Sequence, residues 1–190
     1  MSNSVKIVFL VLFLWQIASF PTVARQQPPT PADVGLRVLE TSFNGDLVQM
    51  LIKSKEGEEQ VKKPVLLFCE GSLPQPAFKH DGTHIYGVFP FDTTDFMNDY
   101  HLVIINKPGI PLSGDERVLG RNFIYKDSTG YTPLAFGLRD HMEYYVDRNI
   151  AVLEWLRSKP WVDENSLVVA GHSQGSAVAV HMADKYDKIT

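Results

Sequence analysis

The pattern of hydrophobic and polar positions predicts a chain that begins its fold with a β-hairpin. Residues 36–43 and 47–53 have the character of two strands, and Asn44, Gly45 and Asp46 separate them. These three residue types are typical of tight hairpin turns, because they tolerate a positive φ angle. We therefore predict an antiparallel pair of strands at the start of the domain.

Three unbroken apolar runs follow, at residues 64–69, 101–106 and 167–170. A short run of this kind is typical of a strand that is buried on both faces of a parallel sheet. Residues 91–100, between the first and the second run, fit a short helix that begins near Asp92 or Thr93. Together they predict a β-α-β unit.

Helical spacing dominates two further stretches. Residues 142–156 place Met142, Tyr145, Val146, Ile150, Leu153 and Leu156 on one face, and Pro160 ends the pattern. Apolar residues after position 173 recur at spacings of three and four, which predicts a helix laid against the sheet. The predicted fold class is α/β, a mostly parallel sheet with an antiparallel start and flanking helices, in one domain over residues 34–190.

The N-terminal residues have the pattern of a targeting segment. Residues 1–24 combine one positive charge, an unbroken apolar stretch from position 7 to 15 and small residues before Ala24, as in a cleaved signal peptide. The alternative is an uncleaved membrane anchor over residues 7–24. Either interpretation places the domain outside the cytoplasm, secreted or periplasmic. The proline-rich residues 25–33 are expected to form an extended leader.

Composition narrows the classes of function. The chain has 190 residues, of which 44% are hydrophobic, and a net charge of −4. No basic stripe is present, which argues against binding of nucleic acid. Cys69 is the single cysteine, so no intrachain disulfide forms, and we expect it to be a small core residue. No CxxC spacing occurs, and we predict neither a metal nor a cofactor.

The sequence Gly171-His172-Ser173-Gln174-Gly175 joins the third apolar run to the last predicted helix. A serine at such a junction lies in a strained turn, and the glycines on either side remove Cβ atoms that would clash there. The turn lifts the serine hydroxyl clear of the sheet and aims the first helical N–H groups beside it. We expect His172 to point to the opposite side from Ser173.

This stretch resembles the nucleophile elbow of the α/β-hydrolase fold family, and the resemblance extends over most of the chain after residue 34. It implies that Ser173 is the nucleophile. Residues 64–69 resemble the family's third strand, and the loop after it implies Ser72 as one backbone donor to the oxyanion hole, with Gln174 as the other. Many members have histidine before the loop glycine, where this chain has Glu70.

In the family, the catalytic acid and histidine follow the nucleophile in chain order. Only 17 residues follow Ser173, and they offer His181, Asp184 and Asp187. His181 lies eight residues further along a helix, roughly 12 Å away at 1.5 Å per residue. We therefore expect the acid and base to lie beyond Thr190, in a C-terminally truncated, marginally stable hydrolase of low activity.

The sequence thus predicts a serine hydrolase that acts on an ester, thioester or amide of a small-molecule or acyl substrate. The alternative is a non-catalytic binding remnant that depends on a partner, and no residue identifies such a protein partner. The aromatic residues of a long loop either line the substrate pocket or anchor the loop to the surface; they are Phe123, Tyr125, Tyr131 and Phe136.

Overall fold

The computed structural model describes residues 27–190, so the predicted signal peptide or anchor lies outside the described residues. The strands are β1 (Leu36–Phe43), β2 (Asp46–Lys53), β3 (Lys63–Cys69), β4 (Phe78–His80), β5 (His101–Ile105), β6 (Ser113–Asp115) and β7 (Val162–Gly171). The helices are α1 (Phe96–Asp99), α2 (Leu134–Arg139), α3 (Met142–Arg157) and α4 (Gln174–Lys185). Single 3-10 turns occupy Pro31–Val34, Glu116–Val118 and Arg121–Phe123.

The main sheet has five strands in the order β1-β2-β5-β3-β7. β1 pairs with β2 and β2 with β5 in antiparallel fashion, whereas β3 runs parallel to both β5 and β7. A separate parallel pair joins β4 to β6. This is the predicted α/β sheet with an antiparallel start, and β3 and β5 are neighbours, as the β-α-β pattern required.

The hairpin is confirmed at its turn. Asn44 and Gly45 have φ angles of 50° and 84°, a conformation in which glycine and asparagine are the least strained residues. Leu36 pairs with Lys53 at the open end of the hairpin, and Phe43 pairs with Asp46 beside the turn.

Side chains of the central strands alternate between two hydrophobic cores. Val65, Leu67 and Cys69 of β3 face the core on the side of α3 and α4, together with Val103 and Ile105 of β5. The residues between them, such as Leu66 and Phe68, face a second core formed with the loops around Phe78 and Phe89. Because both faces are covered, these strands are apolar throughout, which is why the sequence shows them as unbroken runs.

β7 lies at the edge of the sheet and differs from its prediction in two ways. It begins at Val162, before the apolar run, and Val168, Val169 and Ala170 are half-buried instead of fully buried. Their exposure follows from the edge position, since the outer side of β7 is paired only at Leu167, which forms an isolated parallel bridge to Ile189 among residues 27–190.

Two local predictions were wrong in extent. The helix expected over residues 91–100 is the single turn α1, because the Asp92 carboxylate accepts a hydrogen bond from Thr94 N at 2.9 Å and holds this segment in a turn. The last residues of the predicted extended leader form a 3-10 turn, in which Thr30 N donates to Asp33 Oδ2 at 2.7 Å.

Among residues 27–190, no helix combines the length and the apolar character that crossing a bilayer requires.

Candidate active site

Ser173 lies in a strained turn between the end of β7 and the start of α4. Its φ and ψ angles are 55° and −127°, a conformation that residues with a side chain rarely adopt. A methyl group on Gly171 would overlap with the carbonyl oxygen of Gly175, and one on Gly175 would overlap with the carbonyl oxygen of Cys69. Both glycines of the sequence motif are therefore required by the packing of the turn.

Backbone hydrogen bonds hold this turn against the end of β3. His172 N donates to Cys69 O at 3.2 Å, and Ser176 N donates to Ser173 O at 3.0 Å. The hydroxyl of Ser176 donates to Gly171 O at 3.0 Å. The turn is thus fixed from both sides, while the Ser173 side chain stays exposed and accepts no hydrogen bond from the helix N-terminus.

The two backbone groups expected beside the nucleophile are free to donate. Neither Ser72 N nor Gln174 N donates a backbone hydrogen bond to another residue in the described part of the chain. The loop that carries Ser72 lies close to the turn, since a Cβ on Gly71 would stand 3.4 Å from Ser173 Cβ. Gln174 is the first residue of α4, where the helix dipole favours negative charge.

A pocket of about 310 Å³ opens beside Ser173. Its apolar walls are Phe68, Leu73, Val88 and Pro90. Ser72, Glu70 and Lys79 add polar groups to the lining. The aromatic loop residues do not line this pocket: Phe123 stacks with Tyr86 at a centroid distance of 5.4 Å, in agreement with an anchoring role.

His172 also lines the pocket, together with Ser173. A Cβ on Gly71 would stand 3.8 Å from His172 Nδ1 and 3.4 Å from Ser173 Cβ, so the two side chains lie beside the same loop and do not point to opposite sides as expected. No hydrogen bond joins the imidazole of His172 to Ser173 among residues 27–190. His172 is nevertheless the one histidine that the described residues place in this pocket.

The other histidines have partners elsewhere. His80 accepts from Gly82 N, His84 pairs with Asp81, His101 bonds to Ser54 and Val61, and His141 caps α3. His181 lies on the exposed side of α4, beside Asp184 and away from the pocket. Among residues 27–190, no histidine that is held by a carboxylate hydrogen-bonds to Ser173.

A cluster of charged residues surrounds the inner end of the pocket, and no sequence pattern pointed to it. Glu70 directly follows β3, and its Oε2 atom is fully buried without a hydrogen-bond partner. Burial raises the pKa of this carboxyl, although Lys79, Lys107 and Arg148 oppose the effect. Burial also lowers the pKa of Lys107 to about 8. In the sequence these charges show no relation to one another, because they come from distant segments, with Arg148 in the predicted helix.

Arg148 of α3 is only 4% exposed and bonds to the residue that follows β5. Its Nη1 donates to Asn106 O at 3.1 Å, and its Nη2 donates to Asn149 Oδ1 at 2.9 Å. The ring of Tyr145 lies between this guanidinium and the ammonium of Lys107, with 5.1 and 4.6 Å to the ring centroid. The arrangement leaves a surplus of positive charge near the C-terminal ends of β3 and β5.

Cys69 is buried, as expected of a core residue, and burial raises the pKa of its thiol to about 11. A thiol with so high a pKa is a poor nucleophile. Within residues 27–190, no three His, Cys, Asp or Glu side chains are grouped so that they could hold a metal ion.

No protein-family model matches the sequence, and no curated protein does. The solved structures that are similar in fold include the following three. The α/β hydrolase GrgF from Penicillium sp. sh18 has 13% identity and a TM-score of 0.54, over 81% of this chain and 43% of that protein. A dienelactone hydrolase-like promiscuous phosphotriesterase from metagenomic libraries has 12% identity and a TM-score of 0.50, over 82% of this chain and 56% of that protein. A thioesterase domain from the curacin biosynthetic pathway has 16% identity and a TM-score of 0.46, over 80% of this chain and 43% of that protein.

The chain therefore spans roughly half the length of these neighbours. At such low identity the similarity concerns the fold alone. The described residues have the α/β-hydrolase fold.

Proposed function

We propose that the protein is a serine hydrolase that cleaves an ester, thioester or amide, with Ser173 as its nucleophile. The observation that carries the proposal is the strained conformation of Ser173, at a φ angle of 55°, beside a pocket of about 310 Å³. Strain of this kind costs on the order of 1–3 kcal/mol and is typical of functional sites.

In the proposed reaction the Ser173 hydroxyl attacks the carbonyl carbon and loses its proton to a base. The N–H groups of Ser72 and Gln174 stabilise the resulting oxyanion, and removal of one such donor typically lowers the rate about 100-fold. The free state of both donors supports this role. Fixed donors need no rearrangement as charge develops.

The reaction also requires a base that accepts the proton of the Ser173 hydroxyl. A serine hydroxyl needs a base within hydrogen-bond reach and a group that orients this base. The described residues offer His172 in the pocket, but no carboxylate hydrogen-bonds to its ring. We therefore propose that residues 27–190 react slowly by themselves.

Labelling with a fluorophosphonate tests the assignment directly. The mature chain is incubated with the probe beside a Ser173→Ala variant, and size-exclusion chromatography and near-UV circular dichroism confirm that both are folded. We expect slow labelling that Ser173→Ala abolishes. Labelling that persists in Ser173→Ala, or no labelling over hours in a folded protein, would overturn the assignment.

A second candidate is a binding protein that has the fold but not the catalysis. It is favoured by one observation, the absence of a hydrogen-bonded base at Ser173 within the described residues. A folded chain that binds small ligands in the pocket without any labelling of Ser173 would support this candidate over the first.

We also propose that the protein acts outside the cytoplasm, since residues 1–24 have the pattern of a signal peptide. N-terminal sequencing of the exported protein checks this, and Arg25 is the expected first residue. A first residue at Met1 in a membrane fraction would favour the anchor instead.

A further inference from the structure

A second pocket lies next to the Ser173 pocket, and the proposed function does not use it. Its volume is about 210 Å³. Its apolar side chains are Val34, Leu36, Ile85, Val88, Phe89 and Phe91. Ser173, Glu70 and Lys79 line the first pocket and not the second. We call the second one the distal pocket.

The two pockets adjoin through aromatic rings. Phe68 lines the Ser173 pocket, and Phe91 lines the distal pocket. The two rings pack edge to face, with 5.5 Å between their centroids. Both belong to the hydrophobic core around Phe78 and Phe89. A ligand that extends from one pocket into the other therefore stays on an apolar surface.

A short segment of the chain stands between the pockets. Gly87 and Val88 line both of them, and no other residue within 27–190 does so. The segment is fixed on either side, since Tyr86 N donates to Lys79 O at 2.9 Å and Phe89 is buried. Because Gly87 has no side chain, the isopropyl group of Val88 is the side chain that separates the two pockets.

The lining of the distal pocket favours a hydrocarbon chain as its occupant. Burial of apolar surface stabilises a bound chain. A polar or charged group would lose its hydration against the six apolar side chains. Charged side chains line the Ser173 pocket instead, where the polar end of a ligand would lie.

We propose that the hydrocarbon chain of the ligand points from Ser173 towards the distal pocket and that Val88 blocks it, so that Val88 limits the length of the chain that is bound. That this chain is the acyl part of a substrate rests on the proposed function. The Ser173 pocket, at about 310 Å³, is at the small end for ligand sites and suits a short chain. The substrate class is therefore short-chain acyl compounds.

Binding to the Ser173→Ala variant measures this limit without hydrolysis, by ligand-observed NMR titration. The ligands are methyl butanoate, methyl hexanoate and methyl octanoate. Each buried methylene group strengthens binding about fourfold. We expect the affinity to rise from butanoate and then to level off, with octanoate bound less than about twofold more tightly than hexanoate, because the longest chain meets Val88 and its last methylene groups are not buried.

Val88→Ala, added to Ser173→Ala, removes the barrier. Octanoate should then bind about tenfold more tightly than hexanoate, since its last methylene groups enter the distal pocket. Val34→Ala is the matched control, because it makes the same change in the distal pocket but outside the Ser173 pocket. This control should retain the levelling off, and near-UV circular dichroism checks the fold of each variant.

A larger side chain gives a second test if Val88→Ala does not fold. Val88→Leu narrows the passage, so the affinity should already level off between butanoate and hexanoate.

Four results would overturn the proposal. They are a steady rise of about fourfold per methylene group up to octanoate in Ser173→Ala, the same levelling off after Val88→Ala, an equal gain for octanoate in Val34→Ala and Val88→Ala, and no detectable binding of any ester. The proposed function fails separately. A chain-length limit in Ser173→Ala, combined with no fluorophosphonate labelling of the unmodified chain, would leave a binding protein for short acyl compounds.

Discussion

Gly175 in the first turn of α4 packs directly against the backbone carbonyl of Cys69 at the end of β3. No side chain fits between the helix and the strand at this point. The contact seats the N-terminus of α4 over the strand end, and it brings Ser173 next to the loop at Gly71 and Ser72. The position of the candidate nucleophile thus depends on a residue without a side chain.

Gly175→Ala should destabilise the protein by about 1–3 kcal/mol, because the added methyl group overlaps with Cys69 O and separates α4 from β3. Urea unfolding, followed by circular dichroism, measures the free energy of unfolding.

Gly137→Ala is the matched control for this change. Gly137 also lies in a helix, α2, but a methyl group there meets no atom within 4 Å. The control should be neutral or up to about 1 kcal/mol more stable, as alanine favours helix over glycine. A Gly175→Ala variant as stable as this control would contradict the close packing.

Ser173→Gly should raise the free energy of unfolding by about 1 kcal/mol, because glycine adopts the conformation of Ser173 without strain. Ser173→Ala retains the strain and should change stability by less than about 0.5 kcal/mol. Both variants should lose labelling by fluorophosphonate. Equal stability of the two variants would show that the turn stores no strain.

Lys107 should make stability rise with pH in the alkaline range. Burial lowers its pKa in the folded protein to about 8, from 10.5. When folding lowers a pKa, the stability is complete above the pKa of the unfolded state and is lost as the pH falls towards the pKa of the folded state. The folded protein therefore gains stability between about pH 8 and 10.5, by at most about 3 kcal/mol.

Lys107→Met removes this titration. As the pH is raised, the free energy of unfolding of the unmodified protein should therefore increase relative to that of Lys107→Met. Chemical denaturation at pH 7.5 and pH 10 measures it. A difference that is constant over this range would show that Lys107 is solvated in the folded state.

His101 should make the protein sensitive to acid. Its ring is buried between Ser54 Oγ at 2.7 Å and Val61 O at 2.8 Å, and burial lowers its pKa. Stability from such a group is complete above the unfolded pKa near 6.5 and is lost as the pH falls through the lower folded value. His101→Gln should lose less stability on acidification from pH 7 to pH 5, measured by thermal unfolding. The same loss in both proteins would exclude His101 as the cause.

Much of the fold could be predicted from local patterns. The strands β3 and β5 were evident as apolar runs, since a strand covered on both faces has no polar side. The extent of α1 could not be predicted in this way. The Asp92 carboxylate accepts a hydrogen bond from a backbone N–H group within the segment that was predicted to be helical.

The sequence by itself determined the strands, the hairpin, α3 and the strained turn at Ser173, because each depends on the periodicity or the steric limits of neighbouring residues. Only the tertiary structure decided that Glu70 and Lys79 line the same pocket as Ser173. Glu70, Lys79 and Ser173 come from separate segments of the chain, and the position of one strand end against another depends on packing that no local pattern encodes.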